Sequence, residues 1–321
     1  MRTYSLARLG KAAPPVFSLS SSACCRYSSK PPKMAGAQVW SPHGDFKKVQ
    51  ESRPEFPEAS KFRFVRTPKP DWKFGDGANN VDDPGRDAKH IAIDPHGPNR
   101  SASANYKLIL SAITPRPIAL VSTRSADGKL TNMAAFSYFN MINHDPPLMV
   151  IGFIGATGRP KDSLRNLLET KECVINIISE TFIEAANASS IDAPYGLSEW
   201  DVSGLTPEPC EVVKAPRIKE AIFSIEAKLD MVKDWDSRFK PGEVTGTMVV
   251  VEGVRIWVRQ DALNEEQTLV DPAILRPVSR LGGITYLRAA EAFEISRPNF
   301  EKDLGGRDGF EQLKNGTKDA T

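Results

Sequence analysis

A chain of 321 residues with 40% apolar composition is long enough for one large domain or two small ones, and 42 basic against 40 acidic residues give no electrostatic case for nucleic acid. Four cysteines without C-x-x-C spacing and four scattered histidines, His43, His90, His96 and His144, make neither a disulfide framework nor a metal site. No apolar run of about 18 residues occurs, so no membrane-spanning helix is expected.

The charge is unevenly spread. No acidic residue precedes Asp45, whereas Arg2, Arg8, Lys11, Arg26, Lys30 and Lys33 do, interspersed with serines. An acid-free, Arg- and Ser-rich start without a long apolar run predicts a mitochondrial transit peptide over residues 1–33, and so a mitochondrial matrix location. The alternative is a disordered tail ahead of Met34 and a cytoplasmic protein. Residues 34–104 are rich in Pro, Gly, Lys and Asp, with rings dotted singly: Trp40, Phe46, Phe56, Phe62, Phe64, Trp72 and Phe74. That composition reads either as an extended arm anchored by single rings or as plain disorder.

Asn105 to Ser111 is a short predicted helix. The stretch that follows, Thr114 to Asn140, is the most informative in the chain. Ile118 to Thr123 is a short apolar run behind Pro115 and Pro117, which open a strand but cannot sit in a central ladder. Asp127-Gly128 supplies a tight hairpin turn, and the chain returns through Leu130 to Met133. Asn132 to Asn140 sets Ala134 and Ala135 beside Ser137 and two amides, so that backbone N–H groups are open to a close-lying ligand. An ordinary strand and loop is the plainer alternative.

Asp145-Pro146-Pro147 is a stiff corner, and Leu148 to Ile154 a second buried strand. Gly152, Gly155 and Gly158 follow at a spacing that fits neither G-x-G-x-x-G nor a P-loop, which disfavours a doubly wound nucleotide fold. Next, Leu164, Leu167 and Leu168 fall on one face of a helix that opens at Arg159 to Ser163. Two cations and a hydroxyl beside free helical N–H groups suit a phosphate, although a capped helix with a solvated basic face has the same pattern. Cys173 to Ser179 is a third strand, and Thr181 and Glu184 have capping-box spacing for a second helix. Residues 190–210 read as a loop. Ala221 to Lys233 and Glu243 to Arg259 pair as a hairpin around Pro241-Gly242, and the polar, Gly-rich tail beyond Pro298 reads as loose. Runs of strands with few intervening helices indicate an antiparallel barrel.

Six ordered blocks carry a resemblance across about 105–297: Pro115-Arg116-Pro117-Ile118 with Val121-Ser122-Thr123; Asn132 to Asn140; Asp145-Pro146-Pro147; Lys161-Asp162-Ser163 with Asn166; Glu199-Trp200-Asp201 with Gly204-Leu205-Thr206; and Arg280-Leu281-Gly282-Gly283 with Tyr286. In these the chain resembles the flavin reductase-like, FMN-binding split-barrel proteins of the flavoredoxin-like branch. The resemblance implies a mainly β fold with peripheral α, a six-stranded antiparallel Greek-key split barrel, in a homodimer with FMN at the interface. It implies that Ser122, Thr123, Asn132, Met133 and Ala134 line the isoalloxazine and ribityl chain, and that Ser137, Lys161 and Ser163 hold the phosphate. Arg116, Tyr138, Phe139, Asn140, Arg159 and Asp162 complete the implied cofactor-binding set. Trp257 stands where many relatives have a histidine.

The implied chemistry is hydride transfer from NADH or NADPH to flavin N5, for delivery to a flavin or another small-molecule acceptor, and it requires no catalytic side chain. An FMN-binding electron carrier without turnover, and a barrel that has lost its cofactor, remain open at this level.

Overall fold

The computed structural model describes residues 46–56, 62–78, 85, 88–155, 160–194 and 196–318. The expected presequence, 1–33, and Arg159 lie outside them. The chain divides into two compact units, Met1–Pro57 and Glu58–Thr321. Within the first, the described residues form one short helix, α1 (Phe46–Glu51), with no buried residue.

The second unit begins with a two-residue strand, β1 (Arg63–Phe64), followed by helix α2 (Ala102–Ala112), whose N-cap Ser101 accepts from the Ala104 N–H. After β2 (Arg116–Pro117) comes β3 (Ala119–Arg124), with Ala119 to Thr123 all buried. The predicted hairpin forms: Ser125 N–H donates to Leu130 O at 2.9 Å, and Gly128 takes φ 74°, which glycine adopts without steric cost. The return strand is β4 (Thr131–Phe136), and β5 (Phe139–His144) turns at Asp145-Pro146 into β6 (Pro147–Ile154).

Helix α3 (Asp162–Thr170) buries Ser163, Leu164, Asn166 and Leu167 and leads through left-handed Lys171 into β7 (Glu172–Ile177). Then follow α4 (Ile183–Ala188), α5 (Glu199–Ser203), β8 (Pro207–Glu208) and β9 (Arg217–Ile218). The long predicted hairpin is β10 (Phe223–Asp236) against β11 (Val244–Val258). The chain ends through α6 (Pro272–Leu275), β12 (Val278–Arg280), β13 (Tyr286–Arg288), β14 (Glu291–Ala292), α7 (Phe300–Leu304) and α8 (Gly306–Lys318).

The main sheet has the order β4-β3-β7-β10-β11-β6-β5, with every pairing antiparallel. Its two outer strands are consecutive in sequence, so the sheet curls until they meet at Ser137-Tyr138. There the Gly152 N–H donates to Tyr138 O at 2.7 Å, and the Phe136 and Phe153 rings lie 4.6 Å apart. A Cβ at Gly152 would stand 2.9 Å from Tyr138 Cβ, so closure here requires the missing side chain. This is a split barrel with seven strands rather than six, the additional one being β5, which pairs with β6.

Strand alternation sends side chains to two cores. Ala119, Val121, Met149, Ile151, Phe153, Ile175, Val249 and Val251 fill the barrel, plugged by Leu164 and Leu167 of α3. On the other face, Ile118, Leu120 and Met133 pack with Phe182, Ala186 and Trp200 from the turn and helices that cover it.

Three expectations are corrected by packing. Thr181 does not cap a helix: it lies in a 3-10 turn, Glu180–Phe182, and α4 starts at Ile183 because the Phe182 ring is drawn into the second core. The 190–210 segment is not all loop, since Trp200 and Leu205 anchor α5 to that same core, with Gly204 ending it at φ 69°. The tail is not loose: Asn299 accepts from the Lys302 N–H to start α7, Gly305 at φ 80° ends it, and α8 follows. In the described part of 34–104, rings pair with each other, Phe62 with Phe64 at 5.4 Å and Trp72 with Phe74 at 6.0 Å. Parallel pairing of β1 with β14 and the Arg63–Glu291 ion pair tie Arg63 and Phe64 to the C-terminal part of the same unit.

Candidate functional site

Two adjoining pockets open where the barrel splits, sharing Ala135, Phe136 and Lys161. The first is aromatic and cationic, with Tyr106, Tyr138, Arg116 and Arg280 around Ser137. The second is polar and acidic, with Asn132, Ser163 and Ser190 beside Asp162, Asp192 and Glu199. Strand β4 forms their common floor because it is a sheet edge, with only β3 pairing along it. Backbone groups on its open side are not consumed by a ladder.

Lys161 stands at the N-cap of α3, exposed, with no side-chain cap bond and no carboxylate within ion-pair distance among the described residues. A free cation at a nine-residue helix's positive end, on the seam of two pockets, is a ready anion site. Arg116 has a different position. Its guanidinium donates to Leu110 O at 2.7 Å, to Ile113 O at 2.5 Å and to Leu281 O, tying the end of α2 to the loop after β12. Its Nε is buried without a partner among the described residues, as is Glu199 Oε2 in the second pocket. Each pocket thus holds unspent polar capacity. Arg280 stacks on Tyr286 at 4.4 Å and donates to Gly283 O, which fixes the far wall of the first pocket. Burial pushes the Tyr138 phenol up, with Tyr106 adding to this and Arg116 opposing it.

Of the residues expected at the cofactor, Arg116, Asn132, Ala134, Ser137, Tyr138, Lys161, Asp162 and Ser163 line one pocket or both. Five others do not. Ser122 and Thr123 are fully buried in β3, covered on both faces, where Ser122 donates to Pro216 O at 2.5 Å and Thr123 accepts from Asn166 Nδ2 at 3.1 Å. Met133 alternates away from Asn132 and Ala134 into the second core. Phe139 packs on the barrel core, and Asn140 is exposed with its Oδ1 turned back to its neighbour's N–H. Ser163 reaches the pocket wall, but its hydroxyl is committed to Asn132.

Sequence reasoning missed Tyr106, Ser190, Asp192, Glu199 and Arg280 as lining residues. Glu199 and Arg280 sit in two of the ordered blocks, which was the available signal; nothing in spacing ties them to β4. Trp257 lines neither pocket: its Nε1 donates to Glu226 Oε1 at 2.7 Å and Arg217 stacks on its ring at 4.5 Å. Among the described residues no His, Cys, Asp and Glu cluster could hold a metal ion, and no described helix is long and apolar enough to cross a membrane.

The flavin reductase like domain matches residues 111–275. An uncharacterized protein of Halalkalibacterium halodurans is 37% identical over 205 residues, 63% of this chain and 95% of that protein. Component B of nitrilotriacetate monooxygenase from Bacillus cereus superposes with a TM-score of 0.60 at 29% identity, covering 64% of this chain and 99% of that one. The 2-nitrobenzoate 2-nitroreductase of Pseudomonas fluorescens does so with a TM-score of 0.57 at 31% identity, covering 66% and 98%. These comparisons correct the expected mitochondrial location: curated relatives 33% to 39% identical to this chain are bacterial, from cells that have no mitochondria. The split barrel, the pockets at its opening and the domain match together identify this chain as a member of the flavin reductase-like family, a flavin-related oxidoreductase.

Proposed function

We propose that this chain is an FMN-dependent oxidoreductase of the flavin reductase type, taking electrons from NADH or NADPH and delivering them to a flavin or another small acceptor. The observation that carries the reading is Lys161, a cation unpaired among the described residues at the start of α3, on the seam of the two pockets.

The residues fit such a cofactor. Lys161, the free N–H groups of α3 and the Ser137 hydroxyl would hold the phosphate. Phe136, Tyr138 and Tyr106 would flank an aromatic ring system, and the open backbone of Ala134 to Phe136 would hydrogen-bond its polar edge. When bound, the flavin supplies the redox chemistry, accepting a hydride at N5. The chain's own part is to orient the ring and the donor and to keep water out, so no general base is required. That one structural neighbour is named as a monooxygenase component and another as a nitroreductase supports a choice of acceptor that varies on one scaffold.

We assign 105–297 to the catalytic barrel, 34–104 to an arm and 298–321 to a segment outside the barrel. A homodimer completes the reading. Apolar residues are exposed on and just beyond α2 (Ile109, Ile113), on β5 (Met141, Ile142) and at the end of β6 (Ile154), and since α2 and the end of β6 also line the first pocket, a second copy covering them would also enclose it.

The test is an anaerobic visible spectrum of the protein reconstituted with FMN, before and after NADH and NADPH in turn. Rapid bleaching with either nucleotide is the expected result. A flavin that binds and stays yellow makes the protein a carrier, and no bound flavin overturns the reading.

A further inference from the structure

The second pocket contains a carboxyl that the fold leaves partly unsatisfied. Glu199 opens α5, is 7% exposed and lines the pocket, yet its Oε2 has no hydrogen-bond partner among the described residues. An unpaired buried carboxylate oxygen costs at least as much as a typical lost hydrogen bond, so a group of this kind marks a place where something other than the protein completes the bonding.

Two of the three serines that line the pocket are already committed. Ser163 donates to Asn132 Oδ1, and Ser189 donates to Ala186 O at 2.8 Å. The other carboxylates of the pocket, Asp162 and Asp192, have no hydrogen to give, and Asp162 is turned to Arg165 at 3.6 Å. Lys161 shares the pocket but makes no ion pair with Glu199 within 4.0 Å. Burial pushes the Glu199 carboxyl up, and the charge of Asp162 adds to this; its own N–H, the Met133 N–H and the Asn132 amide oppose it.

Three carboxylates at this end repel an anion, which leaves the anionic part of a ligand to Lys161. What Glu199 lacks is a neutral donor, and a hydroxyl is the simplest. We propose that Glu199 recognises the hydroxylated chain of the ligand, its Oε2 accepting from a polyol such as the ribityl chain of a flavin. The inference rests on the flavin reading above. Rotation about the soft terminal torsion of glutamate is enough to present either oxygen to the pocket. Selectivity follows from the physics: a site built to bond a hydroxyl strongly rejects the same ring without one, because its own polar group is then left unpaired.

The experiment measures quenching of flavin fluorescence for FMN, riboflavin and lumiflavin, which has a methyl in place of the polyol, on wild-type protein, Glu199→Leu and Glu199→Gln. Thermal midpoints of the three ligand-free proteins are recorded alongside. Glu199→Leu is expected to bind FMN and riboflavin roughly tenfold or more weakly and lumiflavin unchanged, at a midpoint below wild type because the Met133 N–H and the Asn132 amide lose their acceptor. Glu199→Gln, which keeps one acceptor oxygen, is expected to retain most of the preference. If all three ligands weaken together, or if Glu199→Leu keeps the wild-type preference for riboflavin, the inference is overturned while the flavin reading stands. If wild-type protein binds none of the three, the flavin reading falls and takes the inference with it.

Discussion

The Ser163 hydroxyl donates to Asn132 Oδ1 across 2.5 Å, joining the first turn of α3 to β4 between residues 31 apart in sequence. Both side chains are buried, so the bond fixes the angle at which the start of α3 meets the pocket floor. Ser163→Ala leaves Asn132 Oδ1 unpaired and is expected to lower the stability of the ligand-free protein by about 1–3 kcal/mol, read by urea denaturation. An unchanged midpoint would show the hydroxyl to be dispensable to the fold and free for a ligand.

Lys161 is exposed and unpaired among the described residues, so its removal disturbs little in the fold. Lys161→Met is expected to weaken FMN binding roughly tenfold or more and to leave riboflavin, which has no phosphate, almost unaffected. The wild-type preference for FMN is also expected to shrink as salt is raised, because an exposed cation is screened. Fluorescence titrations at two ionic strengths check both; equal losses for the two ligands would remove Lys161 from the phosphate.

Glu226 is a buried carboxylate whose needs are met. It accepts from the N–H groups of Glu211 at 3.0 Å, Val212 at 2.6 Å and Val213 at 2.8 Å, and from Trp257 Nε1 at 2.7 Å. Burial alone raises its pKa, but these four donors outweigh burial and hold it below the ordinary value of 4.5. A depressed folded pKa contributes stability that is full above the unfolded value and lost as pH falls through the lower folded one. Glu226→Gln is therefore expected to cost roughly 2–4 kcal/mol at pH near 7, with the gap to wild type narrowing in acid. Urea midpoints at neutral and acid pH read this directly, and a gap independent of pH would contradict it.

Met141 and Ile113 are 63% and 62% exposed. If a second copy covers that face, sedimentation should find wild-type protein dimeric and Met141→Glu monomeric at the same concentration, with weaker flavin binding in the monomer. A monomeric wild type would sink the proposed assembly.

Local signals made much of the barrel legible. Asp127-Gly128 names its own hairpin, Pro146 and Pro147 mark the corner into β6, and the Leu164, Leu167 and Leu168 stripe names α3. Each depends on residues within a few positions of each other, where φ preference and side-chain period dominate. Thr181 shows where such signals fail: its spacing is right for a cap, but burial of Phe182 set the helix start one residue beyond it. Glu199 was invisible as a site residue for a related reason, since no spacing rule connects α5 to β4.

Sequence by itself determined the alternating strands, the turns, the helix beneath Lys161 and the ordered blocks of a flavin reductase-like barrel. Those features follow from backbone preference and from a hydrophobic period of two or 3.6 residues, which the chain writes locally. Only the tertiary structure decided which face of each strand meets the pockets. Ser122 and Thr123 lost their expected place there because β3 is covered on both sides, while Ala134 and Asn132 kept theirs because β4 is an edge. Whether a strand is central or at an edge depends on pairing between distant segments, and that is a property of the closed sheet rather than of any stretch of it.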